Sequence, residues 1–130
     1  MKRLCFLVIF CLFFCGCQKE SPPPAVRVVT GVQVELHRDG QVLHRNYTST
    51  ENVQAMLNYL RILRPYGPVI PEAGNGDGCR ITLHYSHGPD SIYLQQGNDY
   101  LRRNDEDWES IDHNKADLLY PMLLLMPSDE

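Results

Sequence analysis

The residues of this 130-residue chain that can do chemistry are five cysteines, five histidines and sixteen carboxylates, and their spacing decides which chemistry is open to them. Four of the cysteines (Cys5, Cys11, Cys15 and Cys17) crowd the beginning of the chain, and Cys79 stands apart. Cys79 alternates with Ile81 and Leu83, which places it on the apolar side of a strand, as an inert buried thiol rather than a nucleophile. His84 and His87 form an H-x-x-H, but on a strand that spacing sends the rings to opposite faces, whereas strand ligands of one metal are spaced i, i+2. His37 and His44 flank a turn and can approach across a hairpin, with no cysteine beside them. Asn75-Gly76-Asp77-Gly78 has some likeness to a calcium loop. The EF-hand pattern, however, needs Asp where Ala73 stands and Glu where His84 stands. Asp105-Glu106-Asp107 reads as a solvated turn. No G-x-S-x-G, Ser-x-x-Lys or phosphate-binding glycine loop is present, and no spacing brings Glu72, Asp77 and Glu109 together. The expectation is a protein without a catalytic site, a metal or a cofactor.

The first residues carry a different signal. Lys2 and Arg3 precede an uninterrupted apolar run from Leu4 to Cys15, the pattern of a secretory signal peptide. That run is 12 residues long, whereas a helix crossing a bilayer takes roughly 20. It ends in Phe14-Cys15-Gly16-Cys17, which resembles the lipobox of bacterial prolipoproteins: an apolar residue, a small one, Gly or Ala, then the modified cysteine. The resemblance implies that the Cys17 sulfur takes a diacylglyceryl group and that signal peptidase II cleaves between Gly16 and Cys17. Phe14 stands where Leu is usual, and Cys15 is an uncommon neighbour. Phe13 and Phe14 are too large for Cys15 itself to be the modified residue. Two acyl chains hold a protein stably where one gives marginal, reversible binding. The expected place is the extracytoplasmic face of the cell membrane. In a cell with an outer membrane, Gln18 after the modified cysteine, rather than Asp, resembles the signal for outer-membrane sorting. Gln18 to Ala25 (QKESPPPA) reads as a stiff polyproline II tether rising about 3.1 Å per residue.

This divides the chain into a leader (residues 1–16), a lipidated cysteine with its tether (17–25) and one domain (26–130). Cleavage would leave 130 − 16 = 114 residues, the size of a single small domain. All four Phe fall in the leader, so the aromatics of the domain are Tyr and one Trp. Loss of Lys2 and Arg3 takes the formal charge from −4 to −6. So acidic a domain is mildly repelled by an anionic leaflet and is a poor partner for nucleic acid. With Cys17 committed to lipid, Cys79 has no disulfide partner, and the fold must stand on its core.

Hydrophobic periodicity supplies the elements that must position these residues. Val26, Val28, Thr30, Val32, Val34 and Leu36 alternate with polar residues, as in a half-buried strand. Asp39-Gly40 signals a two-residue hairpin that sets Leu36 opposite Leu43, Val34 opposite Arg45 and Val32 opposite Tyr47, with a second strand from Gln41 to Tyr47. Thr48 and Glu51 form a capping box. Behind it Val53, Met56, Leu57, Leu60 and Leu63 recur at helical spacing, and Pro65 ends that helix near Arg64. Pro65 to Gly78 reads as a loop. Cys79 to Tyr85, Ser91 to Gln96, Tyr100 to Arg103 and Trp108 to Ile111 read as a meander. Asp112 then caps a final helix over roughly 113–126, which Pro121 kinks or splits. The expected fold is α+β: an antiparallel sheet of five to six strands with two helices on one face, in the order ββα-βββ(β)-α.

The layout of leader, Pro-rich tether, DG hairpin, capped helix and Tyr/Trp meander ending in W-x-x-I resembles small uncharacterised lipoproteins of Gram-positive bacteria, a resemblance that implies location alone. Tyr85, Tyr93, Tyr100 and Trp108 fall on successive strands of the meander. They offer either an aromatic interaction surface on the open sheet face or cross-strand packing within the sheet. The expected partners are the membrane, through the lipid on Cys17, and an envelope protein docking on the sheet face, the Pro65–Gly78 loop or a sheet edge.

Overall fold

A computed structural model describes residues 27–129. The leader, Cys17 and the tether lie outside the described residues. Asp39 and Gly40 both take positive φ, 52° and 75°, the twist that a two-residue hairpin requires. They join β1 (Val29–Arg38) to β2 (Gln41–Tyr47) in the expected register, with Leu36 facing Leu43 and Val32 facing Tyr47. α1 (Thr50–Leu63) follows, then β3 (Gly78–Tyr85), β4 (Ser91–Gln96), β5 (Tyr100–Arg103), β6 (Glu109–Ser110), α2 (His113–Ala116) and α3 (Leu119–Leu125). The strands form one six-stranded antiparallel sheet in the order β2-β1-β3-β4-β5-β6. This is the α+β architecture expected from the sequence.

Three details depart from the sequence pattern. The expected face from Val26 through Leu36 is interrupted, because a bulge between Val29 and Gly31 shifts the pairing of β1 with β3. Val29 therefore packs against the core, while Val28 and Thr30 are exposed. A bulge inserts one unpaired residue, so every side chain before it changes face. The helix cap is Ser49 rather than Thr48: Ser49 is extended, and its hydroxyl accepts from the Asn52 amide. Thr48 instead donates its amide to Asp129. The final helix is divided at Asp117–Leu118. Pro121 then falls in the first turn of α3, where a missing N–H costs nothing.

The ends of α1 and α2 follow from their caps. Arg64 takes left-handed φ 42°, which stops α1 before Pro65. Asp112 accepts from the amides of Asn114 and Lys115. Gly78 lets β4 lie close to the start of β3, since a Cβ there would stand 2.2 Å from the Gln95 carbonyl oxygen.

All helices lie on one face of the sheet. Val32, Val34, Leu36, Cys79, Ile81, Leu83 and Leu101 meet Val53, Met56 and Leu63 from α1 and Leu119 and Leu123 from α3. Full burial of each such aliphatic side chain contributes about 1.5–3 kcal/mol. Inside this layer the buried Tyr59 hydroxyl donates to Gln95 Oε1 at 2.6 Å, with the Ala116 carbonyl 3.3 Å away. Gln95 in turn donates from Nε2 to the Gly97 carbonyl. Tyr59→Phe would leave the Gln95 oxygen unpaired in the interior, so a loss of about 1–3 kcal/mol is expected in urea unfolding. An unchanged unfolding midpoint would show that Tyr59 is not the anchor of this network.

Candidate functional site

The meander does not keep its four aromatics together. By register, Tyr93 stands opposite Ile81 on the core face, and Tyr85 shares that face two residues beyond Leu83. The Tyr85 hydroxyl pairs with Ser91 Oγ at 2.9 Å, and the Arg27 guanidinium lies 3.9 Å from the centre of its ring. Partial burial raises the Tyr93 hydroxyl above its usual value, and Arg103 stands near the ring. Tyr100 points the other way, since Leu101, next to it in sequence, and Gln95, next to its register partner Gln96, are core residues. Arg102 shares the open face and stacks on Trp108 at 5.0 Å. Tyr85 and Tyr93 therefore belong to packing, and Tyr100 and Trp108 to the uncovered side.

The Pro65–Gly78 loop builds on that side. Tyr66 and Val69 donate their amides to the Ser110 and Trp108 carbonyls, and Ser110 donates to Gly67, so the loop lies along the outer edge of β6. Farther on, Gln96 Nε2 donates to the Glu72 carbonyl. Between loop and sheet lies a hollow of about 550 Å³, lined by Pro68, Val69, Ile70, Pro71, Arg102 and Trp108, with Asp105, Glu106 and Asp107 at its acidic end. Ile70 is 92% exposed and Tyr66 63%, although both are large and apolar. Arg102 Nε is buried and has no hydrogen-bond partner among the described residues. Ile70 and Arg102 carry no catalytic signature in the sequence. The signal within reach was an apolar pair, Val69-Ile70, set between prolines.

Some other polar groups of the open face pair with one another. His37 Nε2 lies 2.6 Å from Glu35 Oε1, and His44 stands opposite Glu35 in the ladder. The hydrogen bond from His37 holds the Glu35 carboxyl below its ordinary value, helped by the charges of His44 and Arg80. His84 Nδ1 is 3.0 Å from Asp90. No group of three metal-ligating side chains occurs among the described residues.

At the Asp39–Gly40 end lies a second cleft of about 530 Å³, whose lining includes Asp39, Glu72, Asp77, Asp99 and Asp117. Three of its carboxylates already have work within the chain. Asp77 accepts from the Asp39 amide, Asp99 faces His113 Nδ1 at 3.0 Å, and Asp117 accepts from Asn98. These contacts explain the acids as loop-ordering groups. The Asn75 side chain likewise accepts from the Asp77 amide, closing the turn that has the calcium-loop likeness.

Cys79 is a free, buried thiol on the core face, and burial pushes it up to about 12. A thiol reagent at pH 8 is therefore expected to leave Cys79 unmodified in the folded protein and to react once urea unfolds it. Labelling of Cys79 at the same rate with and without urea would contradict this burial. No protein-family model matches the chain, and neither a curated protein nor a solved structure matches it.

Proposed function

We propose that this protein is an exported, lipid-anchored interaction module. Cys17 would hold it on the extracytoplasmic face of a membrane, while the Trp108 hollow engages an envelope protein. The observation that carries the second half is Ile70, almost wholly solvent-exposed at a hollow lined by a tryptophan and an arginine. Apolar side chains displayed beside Trp and Arg have the composition of binding centres rather than of general surface. Hydrogen bonds to β6 hold the loop in place, so docking there would cost little ordering entropy.

The anchor rests on the lipobox resemblance of Phe14-Cys15-Gly16-Cys17. A palmitate analogue fed to cells is expected to label the wild type and not Cys17→Ser. Undiminished label in the mutant would remove Cys17 as the lipid site.

For the hollow, a photo-crosslinking amino acid at position 70 is expected to give a discrete adduct in membranes. Trp108→Ala should weaken that adduct by about 2 kcal/mol, roughly thirtyfold in Kd. The same amino acid at Val28, which is 57% exposed just before β1, is the control and should give none. Equal adducts from both positions would mean that exposure, not the hollow, captures the partner.

A further inference from the structure

The two edges of the sheet are finished differently. The β6 edge is lined by the Tyr66–Val69 segment. The β2 edge is covered over half its length, by the residues that follow α3.

The hairpin register settles which main-chain groups of β2 face outward. Arg38 and Gln41 close the two-residue turn, so bonded pairs alternate from there through Leu36–Leu43 and Val34–Arg45. Val42, His44 and Asn46 therefore direct their amides and carbonyls away from β1. Asn46 does so in fact: its amide donates to Ser128 Oγ and its carbonyl accepts from the Asp129 amide. The Asp129 carboxylate then takes the Thr48 and Ser49 amides and the Asn52 side chain. Those backbone bonds hold its carboxyl below the ordinary range. Among the described residues nothing bonds the Val42 amide, the Val42 carbonyl or the His44 amide; the His44 carbonyl accepts from Arg45.

We infer that the outer edge of β2 accepts an extended polypeptide segment from a partner protein. The preferred segment carries a carboxylate, and Ser128–Asp129 competes for the Asn46–Ser49 half of the site. The chain's own residues show the required chemistry: main-chain groups against Asn46, then a carboxylate against the amides that lead into α1. Val42, half-exposed, borders the free half on the open face. On the opposite, helix-covered face Tyr120 stacks on Arg38, and exposed Leu124 lies one helical turn farther on the same side of α3. A strand added at Val42–His44 would thus gain apolar contact as well as ladder bonds. A second copy fits this edge less well. Antiparallel β2–β2 pairing rotates one copy by half a turn and sends the two Arg27 ends in opposite directions, away from a shared membrane. The acceptor role itself is independent of the Trp108 hollow.

The test is fluorescence anisotropy of a fluorescein-labelled Thr-Val-Thr-Val-Thr-Asp peptide titrated with the full chain in detergent micelles. Far-UV circular dichroism confirms that each variant is folded. Asp129→Ala frees the Thr48 and Ser49 amides and the Asn52 side chain, loosens the tail that covers Asn46, and is expected to tighten binding about tenfold, a change of 1.4 kcal/mol. His44→Pro removes one outward amide, a change that edge strands tolerate, and should abolish most of the binding in either background. Val42→Pro serves if His44→Pro does not fold. A peptide ending in Lys instead of Asp should bind more weakly, and Trp108→Ala should bind the acidic peptide as the wild type does. The inference is overturned if Asp129→Ala fails to tighten binding, or if neither proline affects it. Dimerisation of the chain that excludes the peptide would overturn it too.

Discussion

The Tyr59 hydroxyl stands where α1, β4 and the end of α2 meet in the dry interior, and much of the arrangement hangs on its bond to Gln95. A buried amide without partners costs more than a single hydrogen bond gains, so β4 and α1 cannot slide past one another without that penalty. Gln95 also reaches the Gly97 carbonyl and so steadies the turn into β5. With α1 held there and α3 beside it, the helical layer lies wholly on one side. The opposite face is left to short polar pairs and to the Pro65–Gly78 loop. The Trp108 hollow and the uncovered half of β2 follow from that asymmetry.

A sheet with one covered face must also manage its edges. Here the management is unequal. β6 is two residues long and flanked by loop residues that bond to it. β2 is seven residues long, and its second half is closed by Ser128 and Asp129. Acidic loops order the Asp39–Gly40 end through contacts of their own, which gives Asp77, Asp99 and Asp117 a role without calling on a ligand.

Local signals read well wherever a few adjacent residues decide the outcome. The Asp39-Gly40 turn specified the β1–β2 register, because positive φ at both positions leaves one pairing. Pro65 ended α1, and Asp112 began α2. Alternation around Cys79 placed it in the core. The run before Gly31 misled, since a bulge leaves no mark in a string of β-branched residues. Tyr59 went unnoticed for a similar reason: its partner is 36 residues away, and helical spacing alone does not reveal a buried hydroxyl.

The four aromatics show where the division falls. Sequence alone determined that Tyr85, Tyr93, Tyr100 and Trp108 lie on a meander and that Cys79 shares the apolar face of its strand with Ile81 and Leu83, because strand period is a local property. Tertiary structure decided that Tyr85 and Tyr93 pack inward while Tyr100 and Trp108 remain with the open face. The turns between strands set the phase of each against the next, and a one-residue change in a turn exchanges the faces. It also decided that Ile70 stands beside Trp108 and that Asp129 closes β2. Those contacts join residues some 38 and 80 positions apart, brought together by burial of a single sheet face.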